Sequence, residues 1–174
     1  MDNIILVGMP GAGKSTVGVL LAKTLGYAFL DTDLVIQQRE GLLLQDILDQ
    51  FGVKHFLQVE EEAIRTVDCR RTVIAPGGSC VCRAAAMEHL RRLGTVVYLQ
   101  LSLEEVESRI HNLATRGIAL SPGQTIADVY AYRVPLYERY AHLTVRADGQ
   151  TLTDTVEAVK QALAVYQPKE RNHP

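Results

Sequence analysis

The sequence predicts an α/β protein: a five-stranded, mainly parallel sheet with helices on both faces, giving three layers. Three observations carry this. Five short apolar runs alternate with longer stretches whose apolar residues recur at helical spacing. Helical patterns separate the runs, so successive strands join by right-handed crossovers and lie parallel. The first run leads through GMPGAGKS (8–15) into a helical pattern, the strand–loop–helix setting of a phosphate-binding loop.

Each element has its own reason. NIILV (3–7) is uninterrupted and apolar, as a strand buried on both faces must be. KSTVGVLLAKTLG (14–26) has helical spacing and a terminal glycine suited to a C-cap. YAFLD (27–31) is a second strand ending in Asp, TVIA (72–75) a third, TVVYLQL (95–101) a fourth and LTVRA (143–147) a fifth. Helices are expected over 102–112, 125–140 and 153–165. The last eight residues, QPKERNHP (167–174), are polar with two prolines and read as a flexible tail, leaving 1–166 as one domain.

Composition narrows the function. The 174 residues are 47% apolar and 22% charged, with a net charge of −2, so a nucleic-acid surface, which needs a clustered basic excess, is not expected. MDNIILVG is too short and too acidic for a signal peptide, and no apolar stretch nears the roughly 18 residues of a membrane span. Cys69, Cys80 and Cys82 are an odd number without a metal-like partner set and fit reduced thiols in a cytoplasm.

Ligands of parallel sheets bind beyond the carboxyl ends of the strands. GMPGAGKS, DTD (31–33) and PGGS (76–79) each follow a predicted strand end, so these three loops should gather at one edge. Gly8, Gly13, Lys14 and Ser15 satisfy G-x-x-x-x-G-K-[ST]. Inward-facing N–H groups and the helix N-terminus would hold phosphate oxygens, Lys14 would reach the β- and γ-phosphates, and Ser15 would offer its hydroxyl to Mg²⁺. Gly11, Ala12, Gly13, Lys14, Ser15 and Thr16 are the predicted nucleotide-phosphate contacts. Asp31 and Asp33 would point the same way if the strand continued, one holding the metal and the other taking a proton from an attacking hydroxyl. The equal alternative is a helix N-cap.

GMPGAGKS, LDTD, FLQVEEE, APGGS, TRGIAL and RVPLYERYA follow one another in an order and at separations that resemble the shikimate kinase family, over about residues 2–165. The resemblance implies a P-loop kinase fold with a mobile lid over about 111–123 and an acceptor-binding region over about 32–65. It implies ATP and Mg²⁺, a small polyhydroxylated acid as acceptor, a step in aromatic amino acid biosynthesis, and a monomer. By it, Asp31 matches the aspartate near Mg²⁺, Asp33 the proposed base, Gly77 and Gly78 a glycine run against the substrate, Arg116 the lid arginine, Arg133 an arginine gripping the acceptor carboxylate, Arg109 an adenine-pocket arginine, and Phe56 and Glu60 the acceptor-site lining. Lys14, Asp33 and Arg116 would carry catalysis. The bland readings are a solvated Arg116 or Arg133, a core Phe56, and a Glu60 on the solvated face of EEE (60–62).

Three positions depart from the family pattern. Leu57 stands where an arginine would pair with the shikimate carboxylate; a desolvated contact of that kind is worth about 2–5 kcal/mol. Ser79 ends the glycine run, adding volume and a hydroxyl at the acceptor. Gly117 replaces a lid proline. Lys54, His55 and Arg65 are the other cations near the change. Two readings stay open beside a shikimate kinase: a kinase for another small polyol or hydroxy acid, and a nucleotide-binding regulator without catalysis.

Overall fold

The computed structural model describes residues 3–112 and 118–166. Its chain order is β1 (Asn3–Val7), α1 (Lys14–Leu25), β2 (Ala28–Asp31), α2 (Thr32–Glu40), α3 (Leu44–Arg65), β3 (Thr72–Ala75), a 3-10 turn (Cys80–Cys82), α4 (Ala84–Leu93), β4 (Gly94–Gln100), α5 (Leu103–Asn112), α6 (Ile126–Tyr140), β5 (Leu143–Arg146) and α7 (Leu152–Val165). All five strands are parallel, in the order β2-β3-β1-β4-β5.

That order sets the layers. Right-handed crossovers send a connection to one face when the chain moves one way along the sheet, and to the other face when it moves back. The β1–α1–β2 unit moves opposite to the units from β2 to β3, β3 to β4 and β4 to β5, so α1 lies across the sheet from α3, α4 and α6. The last helix, α7, packs beside α1 and completes its layer.

The central strands are apolar throughout because both faces are covered: every residue of β1 and of β3 is buried. The edge strands β2 and β5 are only partly covered. Most of the core lies here, around Ile5, Leu6, Ile74, Val97 and Leu99. A second cluster, Ile36, Leu44, Ile47, Phe56, Val59, Ala63 and Ala119, sits under α2 and α3. Helix α3 is broken at Gly52, whose φ of 78° and ψ of 172° interrupt the ladder. Thr125 with Asp128 and Thr151 with Asp154 form reciprocal capping boxes that start α6 and α7.

The expected strands and the four placed helices fall within a residue or two of their predicted bounds, whereas α2, α3 and α4 had no predicted bounds. One expectation is corrected. The second strand does not continue through Asp33; it stops at Asp31, and α2 begins at once. Pairing of Asp31 with Ala75 and of Ile5 with Ile74 brings the carboxyl ends of β1, β2 and β3 level. No helix of the described residues is long and apolar enough to cross a membrane.

Candidate active site

The three loops open into one cavity of about 410 Å³. β1 delivers the first. Beyond Gly8 the chain turns through Gly11 and Gly13, both at positive φ (81° and 84°), and Gly13 caps α1 from the left-handed region. No side chain caps α1, so its leading N–H groups are available to an anion, and their positive end faces the cavity. Lys14 donates to the Gly8 and Met9 carbonyls at 2.9 and 3.0 Å. Burial around its ammonium pushes its pKa below the ordinary lysine value, with Asp33 the main opposing influence.

β2 delivers the second. Asp31 uses both oxygens: Oδ2 accepts from the Ser15 hydroxyl at 2.7 Å, and Oδ1 accepts from the Asp33 N–H at 3.0 Å. Asp31 is therefore the N-cap of α2 through Oδ1, while Oδ2 stays on the phosphate-loop serine, so capping does not take the oxygen that the metal reading requires. Asp33 sits in the first turn of α2, and its Oδ1 is buried without a hydrogen-bond partner among the described residues. Burial first, then the Asp31 charge, raise its pKa to about 6 against the pull of Lys14. A hydroxyl and one carboxylate are hard oxygen donors. No group of three or more His, Cys, Asp or Glu suited to a metal occurs among the described residues. That donor set fits Mg²⁺, which takes few protein ligands and fills its octahedron from phosphate and water.

β3 delivers the third, the turn Pro76-Gly77-Gly78-Ser79. A Cβ on Gly77 would lie 2.5 Å from Glu60 Oε1 and 3.0 Å from Asp33 Oδ1, so a side chain there would intrude on both acids. Ser79 donates its hydroxyl to Glu60 Oε1 at 2.9 Å, and Glu60 is 0% exposed. Burial lifts the Glu60 pKa to about 7, although the Ser79 bond favours the ionised form. Arg133, 4% exposed, donates to the Ala119 carbonyl at 3.1 Å and lines the same cavity. One turn later on α6, the Tyr137 hydroxyl donates to the Gly78 carbonyl and its ring stacks on Tyr98.

Of the predicted residues, Gly11, Gly13, Lys14, Ser15, Thr16, Asp31, Asp33, Phe56, Glu60, Gly77, Gly78, Ser79 and Arg133 line this cavity. The solvated readings of Arg133 and Glu60 fail on burial, and Phe56 is both core and wall. Ala12 is buried, its N–H bonded to Met9 O at 3.1 Å, and stands off the cavity. Arg109, on α5, pairs with Glu105 at 2.8 Å and donates to Gly11 O at 3.3 Å, outside the lining. Arg116 and Gly117 lie outside the described residues, as do the middle of the expected lid and the tail from 167.

Leu57 does not line the main cavity. It faces a second one of about 210 Å³ that shares Ala119 and Arg133 with the first. Lys54, His55 and Arg65 are exposed and line neither of these two cavities; Arg83, ion-paired to Glu61, lines the second. The three cysteines are free thiols, and burial pushes all three above the ordinary value. Sequence reasoning missed Tyr137, Ile118 and Ala119. Tyr137 had a signal: it stands four residues after Arg133 on one helix, hence on the same face.

Comparison with known proteins places this architecture. A family model described as shikimate kinase matches residues 10–164. A shikimate kinase of Pseudomonas aeruginosa is 39% identical over 173 residues, covering 97% of this chain and 100% of that one. Another, from Thermodesulfovibrio yellowstonii, is 34% identical over 162 residues, covering 91% and 93%. Among solved structures, the shikimate kinase from Acinetobacter baumannii in complex with shikimate superposes with a TM-score of 0.88 at 31% identity, over 97% of this chain and 96% of that one.

Proposed function

The chain belongs to the shikimate kinase family, and from that premise we propose that it transfers the γ-phosphoryl group of ATP to a hydroxyl of shikimate, a step of aromatic amino acid biosynthesis. One observation carries the reading: the phosphate loop, the Asp33 carboxylate and the Arg133 guanidinium converge on one cavity.

The donor half binds through backbone N–H groups of Gly11 and residues 13–16 and through Lys14, whose ammonium exchanges the Gly8 and Met9 carbonyls for phosphate oxygens. Ser15 and Asp31 are the residues to hold Mg²⁺. The ion, when bound, neutralises charge on the β- and γ-phosphoryl oxygens. In the acceptor half, Arg133 grips the carboxylate, and Phe56, Gly77 and Gly78 form walls that bring a hydroxyl to Asp33. The Asp33 carboxylate takes the hydroxyl proton as the acceptor oxygen bonds to the γ-phosphorus and the bond to the β-phosphate oxygen breaks, releasing ADP. With a pKa near 6, Asp33 is ionised at neutral pH and still basic enough to accept that proton. Arg116 is the residue to put positive charge on the transferring group, and Arg109 steadies the nucleotide side from behind the loop. In this reading residues 1–166 act as one domain and as a monomer in the cytoplasm, with ATP and the acceptor as small-molecule partners.

The test is ADP release coupled to added shikimate. Turnover that saturates in both ATP and shikimate is expected. If ATP binds but millimolar shikimate produces no ADP, the acceptor is wrong, and a panel of hydroxy acids and polyols then identifies its replacement.

A further inference from the structure

Leu57 and Ser79, the two departures in the acceptor region, meet at one residue. Leu57 stands one helical turn before Glu60 on α3, and the Ser79 hydroxyl is bonded to the Glu60 carboxyl. We propose that Ser79 is a positioning residue that orients the Glu60 carboxyl by holding Oε1, so that Glu60, kept neutral by its buried site, presents an O–H donor on Oε2 to the bound acceptor where a guanidinium at position 57 would otherwise serve. The proposal rests on the shikimate reading above.

The geometry assigns the proton. Ser79 donates to Oε1 at 2.9 Å, which makes Oε1 the carbonyl-type oxygen of the acid. Oε2 is buried, has no partner among the described residues, and belongs to a side chain that lines the cavity. A buried polar atom left alone is costly, and the acceptor supplies the partner.

The charges around Glu60 point the same way. Lys14 reaches it from α1, Asp33 from α2, Cys80 and Cys82 from the 3-10 turn, and Arg133 from α6. Both cations have other bonds: Lys14 to Gly8 O and Met9 O, Arg133 to Ala119 O. Asp33 is a second acid across Gly77. An acceptor carboxylate would add another negative charge, and Leu57 offers nothing to balance it. A proton on Oε2 removes the repulsion and converts the acid from competitor to donor.

The experiment is the equilibrium Kd of shikimate for the full chain without nucleotide, at pH 7, 8 and 9. If only the protonated form binds, with a midpoint near 7, Kd rises about fifty-fold from pH 7 to pH 9. The Glu60→Gln profile separates Glu60 from Asp33, the other buried acid of the cavity. In Glu60→Gln the amide oxygen takes the Ser79 bond and the NH₂ faces the cavity, so Kd becomes flat with pH, and at pH 9 the variant binds more tightly than wild type. Leu57→Arg also flattens the slope, since a cation one turn away holds Glu60 ionised and binds the carboxylate itself. Ser79→Ala removes a bond that favours the ionised form, so its midpoint moves to higher pH. Thermal melts confirm that each variant is folded. A wild-type Kd equal at pH 7 and 9, or a Glu60→Gln variant weaker than wild type at every pH, overturns the pair. A chain that still turns over shikimate in that case keeps its reaction, whereas one that neither binds nor phosphorylates shikimate loses both readings.

Discussion

Lys14 holds carbonyls of its own loop when no phosphate is near, and burial already disfavours its charge. Phosphate oxygens would return full counter-charge to it at the point where the transferring group gains charge. Lys14→Ala should therefore cut kcat about a hundred-fold or more, as removal of a preorganised charge stabiliser does; single-turnover kinetics beside an ATP-binding measurement give the answer. Near-normal turnover would discredit the phosphate-loop assignment. At this scale GMPGAGKS was legible as a strand-to-helix loop, because its glycines and its lysine have few other uses together, although Ala12 turns away from the cavity. Glu60 was not. In EEE it looks like either of its neighbours, and only the helical turn from Phe56 carries it inward while Glu61 and Glu62 stay partly exposed. Its tie to Ser79 spans 19 positions and leaves no local mark.

At the scale of elements, the turn after β3 is the tightest part of the site. Gly77 has no positive φ to defend, so alanine suits its backbone, but the new methyl meets the tips of Glu60 and Asp33. Those tips can swing away without disturbing the sheet. Gly77→Ala should thus fold with a melting temperature close to wild type and lose most acceptor-dependent ADP release, roughly ten-fold or more for a misplaced base. A loss of fold without selective loss of turnover would show that the turn matters for packing instead. The strands were legible as elements since β1, β3 and β4 are buried on both faces and read as unbroken apolar runs. Helices α2, α3 and α4 were harder. Asp31 ends one element and caps the next, with no turn residues between them to mark the change. Gly52 splits α3 and resets its periodicity.

Over the whole molecule, the acceptor pocket works against stability. Asp33 and Glu60 titrate near 6 and 7 in the folded chain, above their ordinary values of 3.8 and 4.5. Between about pH 4 and pH 7 the folded chain therefore holds protons that the unfolded chain has released. Stability from these groups is present at the acid end and falls as pH rises through that window. Asp33→Asn with Glu60→Gln should raise the melting temperature at pH 8 by about 5 °C and leave it nearly unchanged at pH 4.5; melts at the two pH values decide it, and an equal shift at both would point to packing rather than charge. The gathering of the three loops at one sheet edge was readable in the sequence, since all three follow predicted strand ends. The second cavity was not, because it forms between α3, α6 and residues 119–124, far apart in the chain. The bonds from Ser15 to Asp31 and from Asp31 to Asp33 have a thermodynamic corollary. They fix the relative position of three elements with atoms of the chain alone. The entropy of aligning the phosphate loop with the Asp33 carboxylate is thus lost once, when the polypeptide folds, and need not be lost again when ligands bind.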